Sequence, residues 1–412
     1  MRIAMISEHA SPLAQLGTVD AGGQNLHVAE LSAALAQLGH DVRVYTRRDR
    51  LDLPPVESMP PGVDVVHVPA GPPEPVPKDH LLPYMKPFGR WLATAWRDGD
   101  WSPDVVHAHF WMSGIAALVA RRLHPVPVVQ TFHALGSVKR RYQRQKDTSP
   151  PSRIGLERAL GRGVDRVIAQ CRDEVDELLR MGIPRHQISV IPSGVDSATF
   201  SPLGPGAPRS ANSPRILTVG RLVERKGFED VIRALRLVPK AEVVVVGGPP
   251  ADELRDDPEA ERLRAVAVDC GVNHRVRLVG AVPRGEMPLW YRSADVLVCA
   301  PWYEPFGLTP LEGMACGVPV VATAVGGLMD TVVDGFTGEL VPPRDPNALG
   351  RALRHLLADP VRRLAYATAG VDRARQCYSW TRSAERLAVV YAQLREPVVA
   401  ATPAAVTEAV AS

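Results

Sequence analysis

The chain has 412 residues, 45% of them hydrophobic and 23% charged, with a formal net charge of +3. That length exceeds one ordinary core and predicts two domains of about 200 residues each. The small net charge gives no bulk electrostatic reason to bind nucleic acid, and no run approaches the roughly 18 apolar residues that span a bilayer. The opening, MRIAMISEHASP, holds a strand-like run too short for a secretory signal. Cys171, Cys270, Cys299, Cys316 and Cys377 are scattered and form no C-x-x-C pair. Reduced thiols, a cytoplasmic location and no structural zinc site are expected.

Taken in order, short apolar runs alternate with amphipathic stretches. RIAMIS (2–7) precedes residues 22–40, where Leu26, Ala29, Leu31, Ala34, Leu35 and Leu38 keep roughly helical spacing. Further strand-like runs follow at 41–47, 63–68, 104–109, 126–132, 165–170 and 188–192. Strands separated by helices predict β-α-β units and a parallel sheet. SPLGPGAPRSANSP (201–214), with four prolines and two glycines, breaks the pattern and reads as a linker. Alternation restarts at 215–220, 241–248, 275–280, 295–300 and 318–323. Two doubly wound α/β halves should therefore face each other, with ligands beyond the carboxyl ends of their strands. EPVVAATPAAVTEAVAS at the end is weakly patterned and reads as a loose tail.

Three loops carry candidate chemistry. DAGGQN (20–25) opens a helix, and Gly22 and Gly23 allow close backbone approach to an anion. GRLVERKG (220–227) repeats the design with Arg221 and Lys226 around the turn, a pair suited to a diphosphate. WYEPFGLTPLEGMAC (302–316) places Glu304 at a strand end and Glu312 in the following helix, with backbone N–H groups near Phe306, Gly307 and Leu308 free for an anion. Carboxylates accept several hydrogen bonds and match the vicinal diols of a sugar or ribose. His107 and His109 alternate on one strand, one facing the cleft, while His9 follows the first strand and His133 lies just beyond VVQTF. Three histidines at the ends of three strands predict a shared site, though their separations are not those of a zinc motif. KRRYQRQK (139–146) is a basic segment for a phosphorylated acceptor, a membrane surface or plain solvent.

Together these residues resemble the retaining GT-B glycosyltransferases of glycosyltransferase family four over roughly residues 1–395, most specifically in the E-x7-E of Glu304 and Glu312. MRIAMISEHASPL, the GGxN loop, HAHFWMSG and AVGGL are similar to the mycothiol-pathway enzymes that transfer N-acetylglucosamine to inositol 3-phosphate. The resemblance implies an N-terminal Rossmann-like acceptor domain (1–205), a C-terminal nucleotide-sugar domain (212–377), a closing helix (378–395) that returns to the first half, and a tail (396–412). It also implies that Arg221 and Lys226 hold the diphosphate of a UDP-sugar, with Gly23 beneath it. Glu304 would bind sugar hydroxyls, Glu312 the ribose, and His133 would lie near the anomeric carbon. His9, Asp20, Asn25, Lys78, His109, Phe110 and Ala134 would face the acceptor. No cofactor is implied, with Mg²⁺ on the donor diphosphate left open.

The inositol-phosphate enzymes grip the acceptor phosphate with Lys, Tyr, Thr and Arg. Here Lys78 matches, Phe110 and Ala134 replace the two hydroxyl donors, and the Arg falls at Arg153 or Ile154. Each lost charge-assisted hydrogen bond is worth about 1.5–3 kcal/mol. The expected acceptor is therefore an unphosphorylated cyclitol, aminocyclitol or sugar. The rivals are the inositol 3-phosphate transferase itself, a peripheral membrane enzyme acting on lipid, and a nucleotide-sugar-binding regulator without turnover. Nucleic acid and membrane are not expected as partners, and a homodimer is left open.

Overall fold

Strands rich in Val and Ile are suited to burial on both faces, and here they build two separate sheets. The computed structural model describes residues 1–14, 22–210 and 213–395. Asp20 and the 396–412 tail lie outside the described residues. The first sheet contains β1 (Arg2–Ile6), β2 (Asp41–Arg47), β3 (Val56–Met59), β4 (Val63–Val68), β5 (Val105–His109), β6 (Val128–Thr131), β7 (Arg166–Ala169) and β8 (Ile188–Val190). Their spatial order is β3-β4-β2-β1-β5-β6-β7-β8, with only β3 antiparallel to its neighbour. The second sheet contains β9 (Arg215–Val219), β10 (Glu242–Val246), β11 (Val276–Gly280), β12 (Val296–Cys299), β13 (Val320–Thr323) and β14 (Gly338–Val341). Its order is β11-β10-β9-β12-β13-β14 and it is wholly parallel.

In each sheet the strand order reverses beside the first strand, at β1/β5 and at β9/β12. The loops leaving those strands diverge and leave a crevice, the usual ligand position of such folds. His9 and Phe110 follow β1 and β5, and Gly220 and Ala300 follow β9 and β12; all four line one cleft.

Apolar packing then fixes the layers. The Gly23–Gln37 helix buries Val28, Leu31, Ala34 and Leu35 against Ile3 and Met5 of β1, while Leu38 of the predicted periodic set is exposed. Trp380, Ala384, Leu387 and Tyr391 of the final Trp380–Arg395 helix join that same first-sheet cluster. The chain therefore crosses between the halves twice. At the crossing the Val195 N–H donates to the Tyr378 carbonyl (2.7 Å), and a Cβ on Gly194 would lie 2.3 Å from the Trp380 nitrogen. Among the described residues no helix is long and apolar enough to cross a membrane.

Candidate active site

The cleft between the sheets encloses about 460 Å³. Its walls include Gly22, Gly23, Asn25, Lys78, Phe110, His133 and Ala134 from the first half. Arg221, Lys226, Glu304, Phe306, Gly307, Leu308 and Glu312 face them from the second.

The second half supplies the charges. After β9 the chain turns through Glu224–Lys226 and closes at Gly227, whose φ is +69°. A Cβ there would sit 1.9 Å from the Ala300 carbonyl oxygen, so only glycine fits. This turn brings Lys226 Nζ to 2.6 Å from Glu304 Oε2, with both side chains 18% exposed. Burial alone would push the Glu304 carboxyl up, but Lys226, Arg225 and Arg221 outweigh it and hold the group below its ordinary value. Glu304 thus stays an anion with hydrogen-bonding capacity left over. Gly307 begins the Leu308–Ala315 helix in a left-handed conformation, aiming the helix's first N–H groups into the cleft. Deeper in that helix, Glu312 accepts from Arg284 (2.7 Å) and from the Tyr291 hydroxyl (2.7 Å). Gly326 (φ +48°) lets a neighbouring loop approach so closely that a Cβ would be 2.1 Å from the Glu304 carbonyl oxygen.

The first half supplies buried imidazoles and an apolar face. Phe110 (φ 81°) and His133 (φ 60°) adopt left-handed backbone directly after β5 and β6. Such strain in a bulky residue is held by its surroundings. Here the Phe110 N–H donates to Thr131 O (2.8 Å), and Gln130 Nε2 donates to Phe110 O (3.0 Å). His109 Nδ1 lies 3.0 Å from His133 Nε2, whereas His109 Nε2 is buried without a partner. A buried unpaired N–H costs more than an unpaired lone pair, which assigns the His109 proton to Nδ1, donating to His133, and leaves His133 protonated at Nδ1. His27 bonds Ser193 (2.8 Å), and His107 bonds Tyr391 (2.6 Å) and Thr131 (2.8 Å). Burial pushes His27 and His107 down to about 3 and lowers His109 and His133 well below the ordinary value, so all four are neutral.

Ligand atoms of His27, His109 and His133 lie within 4.8 Å of one another, the one such group among the described residues. Here His109 Nδ1 faces His133 Nε2 and His27 Nδ1 faces Ser193, contacts with which an ion at those nitrogens would compete. Of the three rings, His133 lines the cleft, with His27 and His109 packed behind it.

One first-half expectation needs correction, and a second residue has a local role as well. His109 is fully buried behind His133 and does not reach the cleft surface, so it acts through that neighbour. Asn25 borders the cleft, but its amide is used locally: Oδ1 accepts from the Gly22 N–H (3.0 Å) and Nδ2 donates to Ser11 O (3.0 Å). It shapes the glycine loop.

Several contributors were not read from the sequence. Glu8 is buried with one carboxylate oxygen 2.7 Å from His9 Nδ1 and the other accepting from the Ser113 hydroxyl. His9 therefore presents its other nitrogen from the cleft wall, edge-on to Phe110 at 4.9 Å. Arg225 and Arg284 were overlooked because one is a third cation in an already basic turn and the other lies in PRGE without any glycine-loop signature. Of Arg153 and Ile154, Arg153 is the one that lies beside Phe110 and Ala134. Its guanidinium is 5.1 Å from the Phe110 ring centre, bonds Ala134 O (2.5 Å), and pairs with Glu157 at 2.7 Å.

Two facing Rossmann-like sheets and a cleft with a basic turn and an acid-bearing helix define a glycosyltransferase of GT-B architecture. The family models for "Glycosyltransferase Family 4" and "Glycosyl transferases group 1" match residues 21–199 and 206–373. A D-inositol 3-phosphate glycosyltransferase of Xylanimonas cellulosilytica is 40% identical over 95% of this chain and 96% of its own length. The solved sucrose-phosphate synthase of Thermosynechococcus elongatus superposes with a TM-score of 0.86 at 32% identity, covering 95% of this chain and 98% of that one. An Anabaena protein solved with UDP-glucose shares the fold, with a TM-score of 0.72 at 19% identity over 95% of this chain and all of its own. The chain belongs to glycosyltransferase family 4.

Proposed function

We propose that the protein moves a hexosyl or N-acetylhexosaminyl group from a UDP-sugar, with retention at the anomeric carbon, onto a small unphosphorylated polyol. The observation that carries the donor half is the Lys226–Glu304 pair at 2.6 Å in the inter-sheet cleft. Arg221 and Lys226 would neutralise the diphosphate and stabilise the charge growing on it as the sugar–phosphate bond breaks. Glu304 would accept from sugar hydroxyls, and Glu312 from the ribose. Mg²⁺ travelling with the diphosphate would share the same charge, and the reading requires none from the protein. Among the described residues lining the cleft the only carboxylates are Glu304 and Glu312, and both are tied to cations. Neither is free to act as nucleophile or base. Attack on the same face as the leaving diphosphate, whose oxygen takes the acceptor proton, fits that arrangement and makes catalysis chiefly positioning.

The acceptor half rests on Arg153. Its guanidinium is already committed to Glu157, Ala134 O and Ser149. Phe110 and Ala134 offer no side-chain hydroxyl beside it. A phosphate would have to displace Glu157, whereas neutral hydroxyls would meet His9 and an apolar Phe110 face. The second reading, transfer to inositol 3-phosphate, is favoured by the name of the 40%-identical relative. Initial rates with UDP-glucose and UDP-N-acetylglucosamine against myo-inositol, inositol 3-phosphate and simple sugars decide between them. We expect at least tenfold higher kcat/KM with an unphosphorylated acceptor, and loss of turnover in Glu304→Ala. A preference for the phosphate ester would establish the second reading. Full activity in Glu304→Ala would refute the donor assignment.

A further inference from the structure

The basic 139–146 segment is the one motif left over by the active-site reading. Its Gly136–Gln143 helix and the Arg144–Lys146 turn do not present an open cationic patch. Lys139 pairs with Asp147 at 3.1 Å, Arg141 with Glu177 at 2.7 Å, and Lys146 with Glu224 at 2.6 Å. A phosphate or lipid headgroup would have to displace these acids.

Two of these side chains cross the cleft. Tyr142 stacks on Tyr303 with ring centres 5.2 Å apart and planes 19° from parallel. Lys146 reaches Glu224, in the same turn as Arg225 and Lys226. Tyr303 immediately precedes Glu304 and packs against the apolar core of the first half. On the other side of Glu304, the Pro305 carbonyl accepts from the Cys171 thiol at 3.2 Å. A fourth cross-cleft contact runs from the Arg172 backbone N–H to Asp330 at 2.7 Å. The residues before and after Glu304 are thus both held by the first half, although Glu304 itself belongs to the second. Its carboxylate is bonded to Lys226 within the second half, but the backbone that carries it is held from the first.

We propose that Tyr142 is a positioning residue for the donor sugar: by stacking on Tyr303, together with Cys171 on Pro305, it sets Glu304 only when the cleft is shut. This rests on the reading of Glu304 as the sugar-hydroxyl acceptor. The diphosphate cations follow β9 within the second half, so binding of the nucleotide part should not need the stack. The Lys146–Glu224 pair is largely exposed (79% and 44%) and should contribute little.

The test compares binding of UDP with binding of UDP-glucose or UDP-N-acetylglucosamine, whichever the wild type holds more tightly, by calorimetry on the full chain. Tyr142→Ala should weaken the UDP-sugar by about fivefold to tenfold, the scale of one aromatic contact, while UDP stays within about twofold. Tyr142→Phe, which keeps the ring, should behave as wild type, and Lys146→Ala should change neither ligand by more than about twofold. Tyr142 is 39% exposed, so the alanine variant should melt close to the wild-type temperature. Equal weakening of UDP and UDP-sugar, or no weakening of either, would overturn the positioning role while leaving the donor assignment intact. A wild type that binds UDP but no tested UDP-sugar would overturn both.

Discussion

At the scale of single residues, the chemistry depends on carboxylates whose partners decide what they can do. Glu304 was legible because a Pro and a Gly surround it after an apolar run. Glu8 was not, since nothing in SEHAS marks a buried acid. Its role emerges only when β1 and the Trp111–Leu123 helix bring it beside His9 and Ser113. Replacing Glu8 by Gln keeps the shape and removes the charge from the bond that orients His9. We expect the KM for the acceptor polyol to rise about tenfold, the difference between a charge-assisted and a neutral hydrogen bond, with donor affinity unchanged. Initial rates over an acceptor series would show this, and an unaltered KM would remove His9 from acceptor positioning. The Arg153/Ile154 ambiguity had a similar origin, because only the fold shows which of two neighbours turns toward Phe110.

Elements were more legible than residues where burial is two-sided. Runs such as DVRVYTR and VDVVHV appear as strands with the same bounds, because their valines (Val42, Val44, Val63, Val65, Val66 and Val68) are all buried in the sheet and make the apolar signal strong. The two strands missed are edges. β3 (VESM) is largely exposed and β14 (GELV) is short and holds a glycine and a glutamate, so neither carries the apolar signal. Loop conformation was legible at glycines and illegible at Phe110 and His133, whose left-handed backbone is imposed by neighbours and not by their own side chains. The GRLVERKG turn offers a direct check. Gly227→Ala places a methyl group on the Ala300 carbonyl and strains a left-handed backbone. We expect a loss of about 1–3 kcal/mol in stability and a larger loss of donor affinity, read by denaturant unfolding and by UDP titration. An alanine variant with wild-type values for both would mean that the turn is not held against β12.

For the whole molecule, four neutral histidines, three of them buried and His133 at the cleft wall, couple stability to pH. Their folded-state values lie far below 6.5, so between roughly 6.5 and 3 the unfolded chain binds protons that the folded chain refuses. Stability should be complete above 6.5 and fall as pH drops through that window. Glu174, raised to about 7 by burial, acts in the opposite sense between 4.5 and 7, and burial raises Glu30, Glu157, Asp173, Asp230 and Glu339 in that same sense. The cation-paired Glu177, Glu229 and Glu304 are lowered and act with the histidines. Denaturant midpoints measured from pH 7.5 down to 5 should decline, and His107→Gln should flatten the slope. A His107→Gln variant with the wild-type slope would mean that this histidine is hydrated in solution.

The double crossing at Val195 and Tyr378 also constrains how the molecule can move. Two chain segments pass side by side and are bonded to each other there. Paired tethers resist twisting and sliding more than a single linker would, so an opening motion would return the same faces to the same alignment. An enzyme assembled from two surfaces can in this way regain ångström-scale register on every cycle without a large, permanent interface between them.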